Sequence, residues 1–425
     1  MSAESEATAS KRASRAYAGY VLGVLLLVYI FNFLDRIILG VLVPPIKAEL
    51  GLTDTQLGLL GGTAFALFYT ALGIPIGWLA DRFNRVWIMT TALGLWSAFT
   101  AACGFAQNFG QLFASRLGVG IGEAGGVAPA YSLIADYFPP AQRARALAVY
   151  AFGIPIGSAL GLLFGGVIAS TVSWRAAFVL VGFVGVAVSP LMLLTVREPR
   201  RGGLDAAAGR TAPTVREVAS VLARKPSFWG LAFAAAASSI TGYGLFFWLP
   251  SFFIRSFGLS LMQMSYYYGS ICLVGGVAGV WLGGWLGDRF GAKRKSAYAL
   301  IPAVALLLCL PCYAYGVLAT TFSWSFIVFV VPAALSLVWL GPTISAVQHL
   351  VPPAMRAVAS AIFLFIINLF GLGLGSLLVG ALSDSLRARF GTDSLRYAIL
   401  AVTSFYVASA ILFLLSSRRL ERDWE

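Results

Sequence analysis

Four ionisable residues stand inside long apolar runs. Asp35 and Arg36 lie in "FNFLDR", and Arg116 and Glu123 lie in "RLGVGIGEAGG". A buried carboxylate can carry a proton, and a guanidinium fork can hold a phosphate or carboxylate. The second stretch also spells G-x-G-x-x-G at Gly120, Gly122 and Gly125. A dinucleotide loop of that pattern needs a strand before it and a helix start after it. Here the glycines fall within an expected spanning helix, so the match is accidental. Other candidate chemistry is thin. Cys309 and Cys312 have the spacing of a redox pair, yet sit in an apolar run and read as helix filling. The single histidine, His349, excludes a multi-histidine metal site and reads as a local hydrogen-bonding residue. No P-loop and no nucleophile–base–acid set is present, so the chain is not expected to be an enzyme or to carry a cofactor.

The elements that hold these charges can be read from composition. Of 425 residues, 59% are hydrophobic and 11% charged, with a mean hydropathy of +0.85. Soluble domains are about a quarter charged, so most of this surface must face lipid. Twelve apolar runs long enough to span a bilayer recur: 17–43, 55–80, 86–106, 110–135, 145–170, 176–196, 228–253, 263–287, 297–317, 324–349, 358–383 and 396–416. The alternation expected of membrane β-strands is absent. The first run is too long for a signal peptide and has no cleavage site after it, so it reads as a retained helix.

The net charge of +13 is distributed by side. Most basic residues fall on the N-terminal side of the membrane and in the central loop. Lys47, Arg175, Arg255, Arg387, Arg389 and Arg396 fall on the other side. This positive-inside pattern places both termini in the cytoplasm and argues against a nucleic-acid partner. The expected fold is an all-α polytopic membrane protein, twelve helices in two six-helix pseudo-repeats. Its parts are a tail (1–16), a bundle (17–196), a basic linker (197–227), a second bundle (228–416) and a short tail (417–425).

The halves echo each other. "GWLADRFNR" at 77–85 matches "GWLGDRFGAKR" at 284–294, and Gly51 and Gln56 match Gly258 and Gln263 at the same offset. "PAYSLIADYFPPAQR" at 129–143 aligns with "PTISAVQHLVPPAMR" at 342–356. Such a parallel repeat is the plan of major facilitator transporters, whose substrate site lies between the halves. "GWLADRF" followed by Arg85 resembles the signature loop of that superfamily. "FNFLDR", "GWLADRFNR", "RLGVGIGEAGG", "ADYFP" and "AFGIPIGSALG" resemble the Spinster family of lysolipid and sphingolipid transporters, chiefly over residues 30–165. The resemblance implies proton-coupled lipid movement involving Glu123 and Arg116. It also implies a cytoplasmic latch at Asp81, next to Arg82 and Arg85, with Asp288 and Arg289 as the repeat's copy.

The isolated cost of a charge at mid-membrane is about 2.5–3.5 kcal/mol or more. The four charges must therefore face each other or a wet cavity. Arg116 and Glu123, seven residues apart, lie on nearly one helix face about 10 Å apart. Gly118, Gly122 and Gly126 form an opposite face for close packing. The second half carries Gly242, Tyr243, Phe329 and Ser336 at the equivalent positions, so the charges are unique to the first half. Protonation of Glu123 or Asp35 would free Arg36 or Arg116 for an anionic headgroup. Tyr243, Phe247 and Asn368 are the candidates for an apolar and aromatic opposite wall. In "GIPIG", Gly153, Pro155 and Gly157 form a candidate hinge, loosely resembling the glycine-proline motif of antiporters.

The expected function is secondary transport of an amphipathic anionic lipid by alternating access, coupled to protons. The alternative is a proton-coupled carrier of a small organic anion or a drug efflux transporter. Expected partners are that substrate, protons and membrane lipids, with the chain a monomer. The excess of arginine over lysine and the compact loops fit a bacterial inner-membrane protein.

Overall fold

The computed structural model describes residues 3–80, 82–201, 214–291, 293–352 and 355–425. Asp81, expected as the latch carboxylate, lies outside the described residues, as does much of the linker. Among the described residues there is no strand. α1 runs over Ala3–Leu50. α2 (Asp54–Gly58), a π-helical turn (Leu59–Thr63) and α3 (Ala64–Ala80) form one rod, and α4 (Arg85–Cys103) forms another. α5 (Phe109–Glu123) and α6 (Val127–Tyr137) are parted by a turn. α7 (Pro140–Ala151) and α8 (Gly153–Thr171) meet at Phe152, with α9 (Trp174–Thr195) next. After the short α10 (Val215–Ala223) come α11 (Pro226–Phe257), α12 (Leu261–Gly291) and α13 (Ala297–Leu318). α14 (Phe322–Leu335) and α15 (Leu340–Gln348) form a broken rod. α16 (Arg356–Ile367), a second π-turn (Asn368–Leu372) and α17 (Gly373–Phe390) form another, and α18 (Ser394–Val402) and α19 (Ser404–Asp423) the last.

Ten described stretches are long and apolar enough to cross a membrane, one of them the 66-residue Val358–Asp423. That stretch holds two rods, turned at Gly391 with φ 55°. The pieces 109–123 and 127–137 make a further rod that neither could span alone. Ten to twelve apolar rods thus stand where twelve were expected.

Helix ends are written locally. Gly51 (φ 64°) and Gly258 (φ 66°) take the left-handed conformation that closes α1 and α11. Two residues later, Thr53 pairs with Gln56 in a capping box that starts α2, and Ser260 pairs with Gln263 before α12. The matched glycine and glutamine positions are therefore one device used twice. α1 runs past the expected boundary at 43 through Pro44 and Pro45. Its polar end is held from outside: Glu49 accepts from the Trp174 indole at 2.5 Å and from Arg175 at 2.7 Å.

Small residues bring rods close. Gly153, Gly157, Gly161 and Gly165 of α8 lie against Tyr29, Ile30, Leu34 and Ile38 of α1. Gly118 and Gly122 of α5 pack on Phe99 and Trp96 of α4, as their spacing predicts. The apolar core is in two parts. One joins both halves around residues 34–60, 228–271 and 329–420. The other lies almost wholly within residues 21–196, around the opposite ends of those helices.

The chain's last residues fasten the second half. Trp424 stacks on His349 (4.8 Å) and Tyr298 (5.4 Å), and Lys225 pairs with Glu425 at 2.6 Å. Burial, then Arg356 and Lys295, hold the His349 imidazole below its ordinary pKa of 6.5. The unfolded chain binds more protons there, so this contribution is full above the ordinary value and is lost as pH falls through the lowered one. Thermal unfolding should therefore show a smaller acid-side loss in His349→Gln than in the parent chain.

Candidate functional site

Asn32, Asp35 and Arg36 share one face of α1, at i, i+3 and i+4. That face meets the end of α5. The Arg36 Nε donates to Glu123 Oε2 at 2.6 Å, and the Asn32 amide donates to the same oxygen at 2.8 Å. Glu123 is the last residue of α5, so the third glycine of the fingerprint, Gly125, falls in the following turn. The Arg36 guanidinium lies among three rings, Phe33 (5.2 Å), Phe65 (4.9 Å) and Tyr69 (4.5 Å). Its side chain keeps 12% of its surface open, while Nη2 is buried and the guanidinium lies beside Tyr69.

Asp35 and Arg116 behave differently. Arg116, 1% exposed, reaches two backbone carbonyls, Leu60 O at 3.4 Å and Asp35 O at 3.5 Å. The Asp35 carboxylate is equally buried and lies against the Trp96 indole and the Thr100 hydroxyl, with no salt-bridge partner among the described residues. The four charges thus gather as two cells. The Arg36–Glu123 cell keeps some open surface, and the Asp35–Arg116 cell is sealed in the helices. Arg116 and Glu123, close in sequence, do not pair with each other.

Of the expected opposite wall, Tyr243 of α11 packs across onto the cluster of residues 21–196, near Arg36 and Tyr69. Phe247 is 8% exposed and wedged between Gly40 and Gly61, where it fills the joint between halves. Asn368 opens the second π-turn and is half-buried.

That joint holds a cluster the sequence left unread. Asp54, at the start of α2, receives both nitrogens of Arg255 from the end of α11, each at 2.7 Å. Lys47 and Ser383 complete its shell. Asp384 of α17 accepts from Asp54 N (3.1 Å), Thr55 N (2.7 Å) and the Thr55 hydroxyl (2.6 Å), capping the positive end of α2 from the other half. Further along, Ser376 donates to Gly58 O at 2.8 Å and Thr63 to Gly373 O at 2.7 Å. The only legible signal is an acid in a helix's first turn, and in sequence Lys47 and Arg255 read as orientation charges alone.

At the opposite ends of these helices the expected gate residues stay on their own elements. Arg82 is exposed over its own Trp78 ring (3.9 Å), Arg289 lies over Trp285 (5.5 Å), and Asp288 is exposed. Arg85 is buried and binds within its own half: Asp136 at 2.5 Å, Ser132 at 2.8 Å and Glu198 at 2.6 Å. It ties α4 to α6 and to the segment after α9. Removing one partner of such a buried pair costs about 3–5 kcal/mol. Arg85→Ala should therefore lower unfolding stability by that order, measured in detergent, with Arg85→Lys recovering part of it. Gly153 and Gly157 pack against Tyr29 and Ile30, just after the break at Phe152. Pro155 lies in the first turn of α8, where its missing N–H has no helical partner to lose.

A sequence profile described as Major Facilitator Superfamily matches residues 25–376. The chain is 37% identical over 411 residues to an MFS-type efflux pump of Mycolicibacterium smegmatis, over 96% of this chain and 94% of that protein. It is 31% identical to Protein spinster homolog 1 of Homo sapiens, over 86% of this chain and 73% of that one. A crystal structure of a bacterial homologue of the human lysosomal transporter Spinster, inward-facing and unoccupied, superposes with a TM-score of 0.89 at 32% identity, covering 96% and 98% of the two chains. The occupied inward-facing form gives 0.85. With its ten to twelve apolar rods, this is a multi-pass protein of the inner membrane. Profile, relatives and superposition agree that the chain belongs to the Major Facilitator Superfamily of membrane transporters, among its Spinster-like members.

Proposed function

We propose that this transporter moves an amphipathic anionic molecule, lysophospholipid-like or sphingolipid-like, by alternating access coupled to protons. The observation that carries the reading is Arg36: a charged fork with 12% of its side chain open, held by Glu123, ringed by Phe33, Phe65 and Tyr69 and facing Tyr243. Such a site offers a headgroup a charge and offers the adjoining chain an aromatic wall. An anion arriving at Arg36 competes with Glu123 for the guanidinium. If Glu123 takes a proton as the anion binds, one negative charge enters with one proton and the cell's charge is unchanged.

Asp35 is the second proton site in this reading. An ionised carboxylate this deeply buried and without a paired cation is costly, so the packing suits a protonated Asp35. The remaining architecture fits two six-helix bundles, 17–196 and 228–416, joined by the linker 197–227, with the tails 1–16 and 417–425 in the cytoplasm. The Gly51 ends then lie outside and are closed, while Arg82 and Arg289 lie at an inner mouth. The second reading is a proton-coupled carrier of a small organic anion or a drug efflux transporter; efflux fits the mycobacterial relative, an MFS-type efflux pump. Proteoliposomes test both. Proton flux should follow added lysophospholipid in the parent chain and vanish in Glu123→Gln. Flux driven only by small organic anions would favour the second reading, and cargo uptake indifferent to pH in parent and variant alike would sink the coupling.

A further inference from the structure

The two π-helical turns of the described residues, Leu59–Thr63 and Asn368–Leu372, come from different halves and touch each other. A Cβ on Gly62 would lie 2.4 Å from Leu372 O, and Thr63 bonds Gly373 O next to it. A π-turn holds one extra residue. Returning it to α-geometry shifts the rest of the helix by about 1.5 Å and about 100°. Contacts this close at the joint would not survive such a shift. The register of the first turn therefore bears on whether the Gly51 end stays closed.

That turn is held from behind by Arg116, whose Nε reaches the carbonyl of Leu60. Its other hydrogen bond goes to the backbone carbonyl of Asp35, and both bonds are long. A guanidinium has five donors, and carboxylates are its stronger partners. The Asp35 carboxyl lies on the same residue as one of those carbonyls. The groups facing Asp35 are Trp96, Thr100 and the Cys103 thiol from α4 and Arg116 and Glu123 from α5. Glu123 is occupied by Arg36 and Asn32. Arg116 is thus the cation open to an ionised Asp35.

We propose that Arg116 is a positioning residue that reports the proton on Asp35 to the joint between halves through the carbonyl of Leu60. With Asp35 protonated, Arg116 stays on Leu60 and the π-turn keeps the Gly62–Leu372 register. When Asp35 gives up its proton, Arg116 turns to the new carboxylate and releases Leu60. The turn can then relax towards α-geometry, and the joint loosens. Proton release is thereby linked to opening at the Gly51 end. This inference rests on Asp35 being a proton site, and the test separates the two.

The test is a distance between nitroxide labels at Gln107→Cys and Thr392→Cys, exposed positions at the Gly51 end of each half, from acidic to mildly alkaline buffer. The parent chain should gain a longer-distance population as pH rises. Asp35→Asn should remain at the short distance throughout. Arg116→Gln keeps an amide donor for Leu60 but has no charge with which to form an ion pair, so it should also lose the pH response. Arg116→Lys, which keeps the buried charge, covers poor folding of the glutamine variant and should respond less than the parent. A flat Asp35→Asn with parent-like responses in Arg116→Gln and Arg116→Lys overturns the link through Arg116 and leaves the proton site standing. A persisting response in Asp35→Asn overturns both.

Discussion

Replacing Arg36 by alanine should reduce affinity for an anionic lysophospholipid by at least about 30-fold, since truncating a buried, hydrogen-bonded charge costs about 2–5 kcal/mol. The reason is geometric. Arg36 is the member of the four-charge group whose side chain keeps 12% of its surface open while its guanidinium holds Glu123 and lies against three aromatic rings. Arg36→Lys should recover little of this. An ammonium keeps the charge but loses the fork and the guanidinium's contact with the Phe65 and Tyr69 rings. An uncharged analogue of the same chain length should bind parent and variant alike, because its contacts are to the aromatic wall. Titration calorimetry in detergent reads all three values. Parent-like affinity of Arg36→Lys for both ligands would remove the headgroup from this site. Arg36→Ala also leaves Glu123 with Asn32 as its remaining donor, so some loss of thermal stability should accompany the loss of binding.

The second large effect concerns the joint. Arg255→Ala removes two charge-assisted bonds from Asp54, both at 2.7 Å and both between halves. Lys47 stays, so the carboxylate is not stripped bare. A cost of about 2–5 kcal/mol would bring a closed-to-open ratio of about 100:1 to near or below parity. Labels at Gln107 and Thr392 should then show a large open population without cargo and independent of pH. Transport should slow, because return to the closed state becomes the difficult step. Arg255→Lys should sit between, with one bond in place of the fork. High salt should mimic the substitution in part, since Arg255 keeps about a quarter of its side chain open. An unchanged distance distribution in Arg255→Ala would mean that apolar packing of Phe247 and Gly61 closes this end by itself.

The sequence by itself determined the membrane rods, their order, the helix ends at Gly51 and Gly258 and the presence of four charges in apolar surroundings. All of these are local. Hydropathy acts over one rod, and a left-handed glycine with a capping box acts over a single turn and its flanks. It also made the Gly118–Gly122 face legible, because spacing on one helix needs no partner to be read. Only the tertiary structure decided which charges meet. Glu123 pairs with Arg36 rather than Arg116 because the rotation of α1 against α5 is set by glycine packing on α4 and α8, contacts made by other faces of the same helices. Arg85 turned inward to Asp136 and Glu198 for the same reason: its partners arrive from 51 and 113 residues away. The Asp54 cluster draws on residues 201 and 329 positions distant. The π-turns were invisible in sequence, since one extra residue in a turn is a matter of register. That register is held here by Arg116 on one side and by Leu372 and Gly373 on the other.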